Sequence, residues 1–323
     1  MHRCAAITGG LFTHHDIPSQ VESNIRLENA QAGIPEGIPI IKPVKAEIRD
    51  LELVHSPGHI AWLREMSQGE RFIDSSTYIT RCSFEVALYA AGSAMRAAEM
   101  ALEGISTFAL VRPPGHHAER DRAMGYCLMN NVAIAAAAAL KRVEKVAIVD
   151  WDLHHGNGTQ QIFYESDRVL FCSVHQFNVF PFTGWVDEIG EGKGRGYNLN
   201  APLEPNGDIG DYMAVFRDVF MPAIVRFDPD VIIISAGEDA LEDDPHGQMA
   251  LKPNDYQILT QMLLEACDQP IALVLEGGYG PSIGEAVTCI FNAMKGERVK
   301  APECRARKRT ARVISTLRKI WFV

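Results

Sequence analysis

Six short runs of mostly apolar, β-branched residues recur along this chain, and stretches of helical periodicity lie between most of them. The runs are Cys4–Thr8, Thr107–Val111, Val146–Val149, Val169–Val174, Val231–Ser235 and Ile271–Leu275. They lack the apolar–polar alternation of a half-exposed strand, so each reads as a strand buried on both faces. The intervening segments Phe84–Leu102, Asn131–Arg142, Asp211–Arg226, Asn254–Ala266 and Ile283–Lys295 read as helices. Strands alternating with helices predict an α/β fold, a parallel sheet covered on both faces. With 323 residues, 47% of them hydrophobic, the chain can bury a large core. No boundary interrupts the pattern, so residues 1–323 are expected to form a single domain. Two stretches read as loops: Gly33–Pro43, with three prolines and two glycines, and Phe177–Asn200, with five glycines.

Several function classes lose support at this level. The net charge of -10 argues against nucleic acid as the main partner and suits a cationic substrate. Seven cysteines, Cys4, Cys82, Cys127, Cys172, Cys267, Cys289 and Cys304, are widely spaced, odd in number and without a C-x-x-C pair. That pattern predicts buried free thiols in a reducing, cytoplasmic setting rather than a disulfide framework. No signal peptide is read at the N-terminus, and the longest nearly apolar segment, Val132–Leu140, is too short to span a bilayer. No membrane association is therefore expected. The basic segment Arg305–Lys319 holds seven cations and no acid, which leaves 24 basic against 41 acidic residues elsewhere, a charge near −17. It reads as a terminal helix with a solvated basic face, with Val313, Leu317 and Trp321 packing inward. A homo-oligomer is left open.

The chemistry-bearing residues cluster just after the predicted strands. In open α/β sheets that rim is where ligands bind. Asp150, Asp152, His154 and His155 follow one strand in VAIVDWDLHHGNG, and Asp239 follows another in VIIISAGEDALEDDPHG. Alternation aims Asp150, Asp152 and His154 to one side of an extended chain. Three buried ionisable groups are costly unless something compensates their charge, and a divalent metal would do so. Asp152, His154 and Asp239 would form a three-ligand site with an open position, as catalytic zinc requires. Asp243 and Asp244 read as caps or loop acids. The tandem His116–His117 sits on the rigid turn that follows Pro113–Pro114–Gly115, placed for acid–base work. Tyr279, between glycines in LEGGYG, can present a phenol to a developing oxyanion.

Taken together and in order, RPPGHH, GYCLMNNVAIAA, VDWDLHHGNGTQ, SVHQ, the SAG-x-DA…DDPHG segment and LEGGY resemble the histone deacetylase family, nearest its class II and bacterial branch with the acetylpolyamine amidohydrolases. The N-terminal part matches less well, since Gln20–Leu27 stands where the family shows H-P-E-x-P-x-R-L. The resemblance implies an arginase-like α/β fold with an eight-stranded, mostly parallel sheet. It implies zinc at Asp152, His154 and Asp239, and potassium at Asp150, Asp152, His154, Ser173 and Val174. It makes His116 and His117 the acid–base pair, oriented by Asp150 and Asn157, and Tyr279 the oxyanion donor. Gly125, Tyr126 and Phe180 match the channel walls, and His246 replaces the usual Leu at the channel mouth. Glu238 stands where the family has Phe.

The resemblance implies a zinc-dependent deacetylase acting on a small acylated amine or an acetyl-lysine peptide. Electrostatics favours His117 as the base, because Asp150 should hold His116 more cationic than Asn157 holds His117. Two alternatives stand beside it: an arginase-like ureohydrolase with two manganese ions, and a non-catalytic acyl-binding module on the same fold.

Overall fold

The computed structural model describes residues 3–17, 19–267 and 270–321; the side chain of Cys267 lies outside that set. Ten strands form along it: β1 (Cys4–Ile7), β2 (Ile40–Ile41), β3 (Arg71–Phe72), β4 (Tyr78–Ile79), β5 (Ser106–Ala109), β6 (Val146–Asp150), β7 (Val169–Gln176), β8 (Asn198–Leu203), β9 (Val231–Ala236) and β10 (Ile271–Leu275). Eight make one sheet in the order β2-β1-β5-β10-β9-β6-β7-β8, and every pairing in it is parallel. β3 and β4 form a separate antiparallel pair.

All six predicted strands are present and buried, and the apolar runs explain why. β6, β9 and β10 have no exposed residue on either face. Each fully buried Ile or Val there contributes about 1.5–3 kcal/mol relative to exposure. Two strands of the main sheet escaped the sequence reading, as did the separate β3–β4 pair. β2 is a two-residue edge strand inside the Pro-rich stretch, paired through Ala6↔Ile40 and Ile7↔Ile41. β8 begins within the last residues of the predicted Phe177–Asn200 loop, and its NLNAPL sequence is polar because Asn198 and Asn200 bond inward to Gln160.

Helices Ser83–Leu102 and Asn131–Ala139 pack on each other and on the central strands. Their alanine-rich sequences let backbones approach closely. Asn131–Ala139 stops three residues short of the predicted end. Ile283–Met294 packs on Pro253–Cys267, and its Phe291 meets Phe108 of β5 at a ring separation of 5.9 Å. The predicted helix Asp211–Arg226 is observed from Ile209 to Phe227, but it widens to a π-turn over Phe216–Phe220. Pro222 follows directly; it lacks an N–H and cannot continue regular α-helical bonding. The terminal helix Lys308–Trp321 buries Leu317 and packs Val313 and Trp321 against the core, with its cations outward, as expected. Cys127, Cys172 and Cys289 are buried free thiols, whereas Cys82 and Cys304 are exposed, which corrects the expectation of uniform burial.

Candidate active site

Five adjacent strands, β5, β10, β9, β6 and β7, end at one rim. Asp150 closes β6, in register with Ser235 of β9 on one side and Ser173 of β7 on the other. The turns beyond these ends supply the groups that line a cavity of about 480 Å³, among them His116, His117, Asp152, His154, Asp239 and Tyr279.

Asp152, His154 and Asp239 each place one ligand-capable atom within 4.8 Å of the others. His154 Nδ1 lies 3.2 Å from Asp152 Oδ1 and 3.0 Å from Asp239 Oδ2. The regular strand ends at Asp150, so these residues converge through the bends that follow and not through strand alternation. Two carboxylates and an imidazole are a donor set suited to zinc. Their surroundings fit an ion as well. Gly277 N–H bonds Asp152 Oδ2 at 2.8 Å and Leu153 N–H bonds Asp239 Oδ1 at 2.7 Å, so outer oxygens are oriented by backbone donors. A side chain at Gly277 would collide with both carboxylates. Burial and the neighbouring Asp152 push Asp239 up to about 7, whereas His116 and His154 outweigh burial at Asp152 and depress it. A buried group with this much internal charge conflict is what a cation would relieve. A second cluster, His116, Cys127 and Glu276, is also buried. Its carboxylate is engaged elsewhere, because Glu276 Oε2 accepts the N–H groups of Gly115 at 2.6 Å and His116 at 3.0 Å.

The two histidines are differentiated by their partners. His116 Nδ1 donates to Asp150 Oδ2 at 3.0 Å, and His117 Nδ1 donates to Asn157 Oδ1 at 2.8 Å. Their rings lie 4.0 Å apart. Burial would lower both. At His116 the charges of Asp152 and Asp150 outweigh it and raise the pKa well above the usual imidazole value. At His117 burial is reinforced by His116 and His154, and the pKa falls well below it. The Asn157 amide is itself fixed by donation from Nδ2 to Glu119 Oε1 at 2.8 Å. His155, by contrast, turns away to Thr183 and Gln160.

Tyr279 is held rather than free to swing. Its ring packs 4.6 Å from His246 and 5.7 Å from Tyr126, under the Arg26 guanidinium at 4.8 Å. Asp244 Oδ2 accepts the Tyr279 and Gly280 N–H groups at 2.6 and 2.9 Å, while Oδ1 accepts the His246 N–H at 2.9 Å. Asp243 accepts the N–H and hydroxyl of Ser282. Both acids are thus loop-holding groups, as read. Phe180 stands edge-on to His117 at 5.0 Å, and Gly125 lies between them. Gly125 has φ +58, and a Cβ there would come 2.6 Å from His117 and 2.9 Å from Phe180, so only glycine fits.

Two features went unread in the sequence. Glu22 and Arg26, in the poorly matching N-terminal stretch, are buried and join Arg112 and Tyr78 in one network. Their i,i+4 spacing was the available signal. Arg26 also donates to the carbonyls of Glu276, Gly277 and Gly278, tying the network to the tyrosine loop. Glu276 lay in a quoted motif without an assigned role. Glu238 is fully buried, and neither carboxyl oxygen has a partner in the protein. Burial raises its pKa well above the usual carboxylate range.

A parallel α/β sheet thus carries at its carboxyl rim a candidate metal cluster, a histidine pair and a tyrosine. The chain matches the family profile described as histone deacetylase domain over residues 14–294, and it belongs to that family. It is 39% identical over 313 residues to histone deacetylase 5 of Arabidopsis thaliana, covering 89% of this chain and 47% of that protein. It is 41% identical over 293 residues to a probable deacetylase of Archaeoglobus fulgidus, covering 84% of this chain and 81% of that one. Among solved structures, the HDA15 HD domain superposes with a TM-score of 0.93 at 34% identity, over 98% of this chain and 94% of that one. The chain spans about half the length of the plant relatives it matches.

Proposed function

We propose that residues 1–323 form one catalytic domain, a zinc-dependent deacylase that hydrolyses the amide of an acylated amine, of the acetyl-lysine or acetylpolyamine type. The observation that carries this is the convergence of Asp152, His154 and Asp239 with the His116–His117 pair and Tyr279 in one cavity. Zinc held by Asp152, His154 and Asp239 would polarise the amide carbonyl and acidify a water.

The chain's own groups then divide the proton transfers. The Nδ1–H of His117 is committed to Asn157, so its Nε2 lone pair faces the cavity to take the proton of the attacking water. His116, hydrogen-bonded through Nδ1 to the Asp150 carboxylate, donates a proton to the departing amine. The Tyr279 hydroxyl donates to the carbonyl oxygen as charge develops there. Tyr126 and Phe180 flank the alkyl arm.

The potassium assignment at Asp150, Asp152, His154, Ser173 and Val174 belongs to the same proposal. It is supported by the register that sets Asp150 opposite Ser173. A reducing, cytoplasmic setting is supported by six unpaired cysteines among the described residues. Among the described residues no helix is long and apolar enough to cross a membrane.

The manganese alternative has less support. The two candidate metal clusters share no residue, so no carboxylate bridges them. A non-catalytic module does not account for an intact acid–base pair. The test is turnover of acetyl-lysine peptide, trifluoroacetyl-lysine peptide, N-acetylputrescine and N-acetylspermidine by zinc-loaded protein, with metal content measured alongside. Activity lost on chelation and in His117→Ala, at one zinc per chain, supports the reading. Two manganese ions per chain, or one zinc without turnover of any member, counts against it.

A further inference from the structure

The cavity runs from a buried end to an exposed one. Asp152 and Asp239 are fully buried, whereas Arg122 is exposed and lines the same space. Two ionisable side chains line the cavity beside its reacting and aromatic groups: Asp74 and Arg122. They are not equivalent. Asp74 is committed to its own loop: it accepts the N–H groups of Ser76 at 2.8 Å and Thr77 at 2.6 Å, and both hydroxyls. Arg122 has no such partner. Among the described residues its guanidinium makes no ion pair or hydrogen bond. The acids nearest to it in sequence are engaged elsewhere, Glu119 with Asn157 and Asp121 with Ser56. His246, on the same cavity, brings no negative charge.

A guanidinium left unpaired at the open end of a binding cavity presents a planar set of donors matched to a carboxylate. It also repels a cation. We infer that Arg122 is a specificity determinant, selecting acyl-amine substrates with a carboxylate at the far end of the alkyl arm over cationic polyamines. The compact case is an Nε-acyl-lysine with a free α-carboxylate. The inference rests on the deacylase reading and narrows its substrate class. Because Arg122 is solvent-exposed, the effect is modest, about 2- to 5-fold per ion pair.

The experiment compares Nε-acetyl-lysine with its α-carboxamide. At pH 6 both carry the α-ammonium, so their ratio isolates the carboxylate; N-acetylputrescine serves as the cationic comparison. Zinc-loaded wild type, Arg122→Gln and Arg122→Glu are measured for kcat/KM and, by calorimetry, for Kd. Wild type should prefer the carboxylate about 2- to 5-fold, less at high salt. Arg122→Gln should erase the preference and Arg122→Glu invert it. Each ratio is taken within one variant, so a general loss of activity does not imitate the result. A wild-type ratio near one, or a ratio unmoved in Arg122→Glu, overturns the inference and leaves the deacylase reading standing. A Kd ratio that moves without turnover of any substrate preserves the inference and removes the reading. Neither binding nor turnover removes both.

Discussion

Replacing Arg112 with Met should destabilise the protein by about 3–5 kcal/mol, because it breaks a buried charge network. Arg112 is fully buried, and its guanidinium donates to Glu22 Oε1 at 2.6 Å, Glu22 Oε2 at 2.7 Å, Asn24 Oδ1 at 2.7 Å and Tyr78 Oη at 2.9 Å. Burial alone would raise the Glu22 pKa, but Arg112 and then Arg26 outweigh it and hold it at about 2 against an ordinary 4.5. That difference corresponds to about 3 kcal/mol favouring the ionised form at neutral pH. In Arg112→Met only Arg26, at 3.2 Å, remains as a cation beside Glu22, and four other acceptors, Asn24 Oδ1, Tyr78 Oη and the Phe12 and Glu22 carbonyls, lose a donor. Equilibrium urea unfolding at pH 7 measures the loss. A change under about 1 kcal/mol would refute the reasoning. The pH dependence supplies a second check. A depressed carboxylate stabilises the fold fully above its unfolded pKa, so the Glu22 contribution is present above 4.5 and lost as pH falls toward 2. The variant should lack most of that slope, and Arg112→Met combined with Glu22→Leu should cost clearly less than the sum of the single changes.

Three further outcomes are expected. Tyr279→Phe should lower kcat on any accepted substrate by about 10²–10³-fold, the loss typical of one oxyanion donor, with zinc content unchanged; activity within a few-fold of wild type would remove Tyr279 from the mechanism. Glu238→Met should stabilise the protein by about 1–3 kcal/mol, because it replaces a buried carboxyl that has no partner in the protein, and a lowered melting temperature would mean that this carboxyl is bonded. Burial holds His15 and His55 at about 4, below the ordinary 6.5, so the unfolded chain takes up protons first and stability should fall as pH drops from 6.5 to 4. Each contributes up to about 3 kcal/mol to that fall, and melting temperatures flat between pH 7 and 4.5 would contradict it.

The sequence by itself determined the fold class and most of the rim. Buried parallel strands must be apolar on both faces, so six of them were visible as uninterrupted runs. The polar residues at their ends stood out because nothing apolar about a strand accounts for Asp150 after VAIV or Asp239 after VIIISAG. β2 and β8 were invisible for the complementary reason: one is two residues long inside a proline-rich stretch, and the other carries buried asparagines whose partners come from a distant helix. Tertiary structure decided everything that depends on who neighbours whom. It separated His154, which joins the candidate metal centre, from adjacent His155, which turns to Thr183 and Gln160. It showed that Glu22 and Arg26, in the stretch that matched the family least, anchor the tyrosine loop through Arg112, Tyr78 and three backbone carbonyls. It gave the two adjacent histidines different partners, because Asp150 and Asn157 reach them across 34 and 40 residues. Periodicity is a local property of a chain and can be read along it, whereas the charge state of a buried group is fixed by partners that only folding brings within bonding distance.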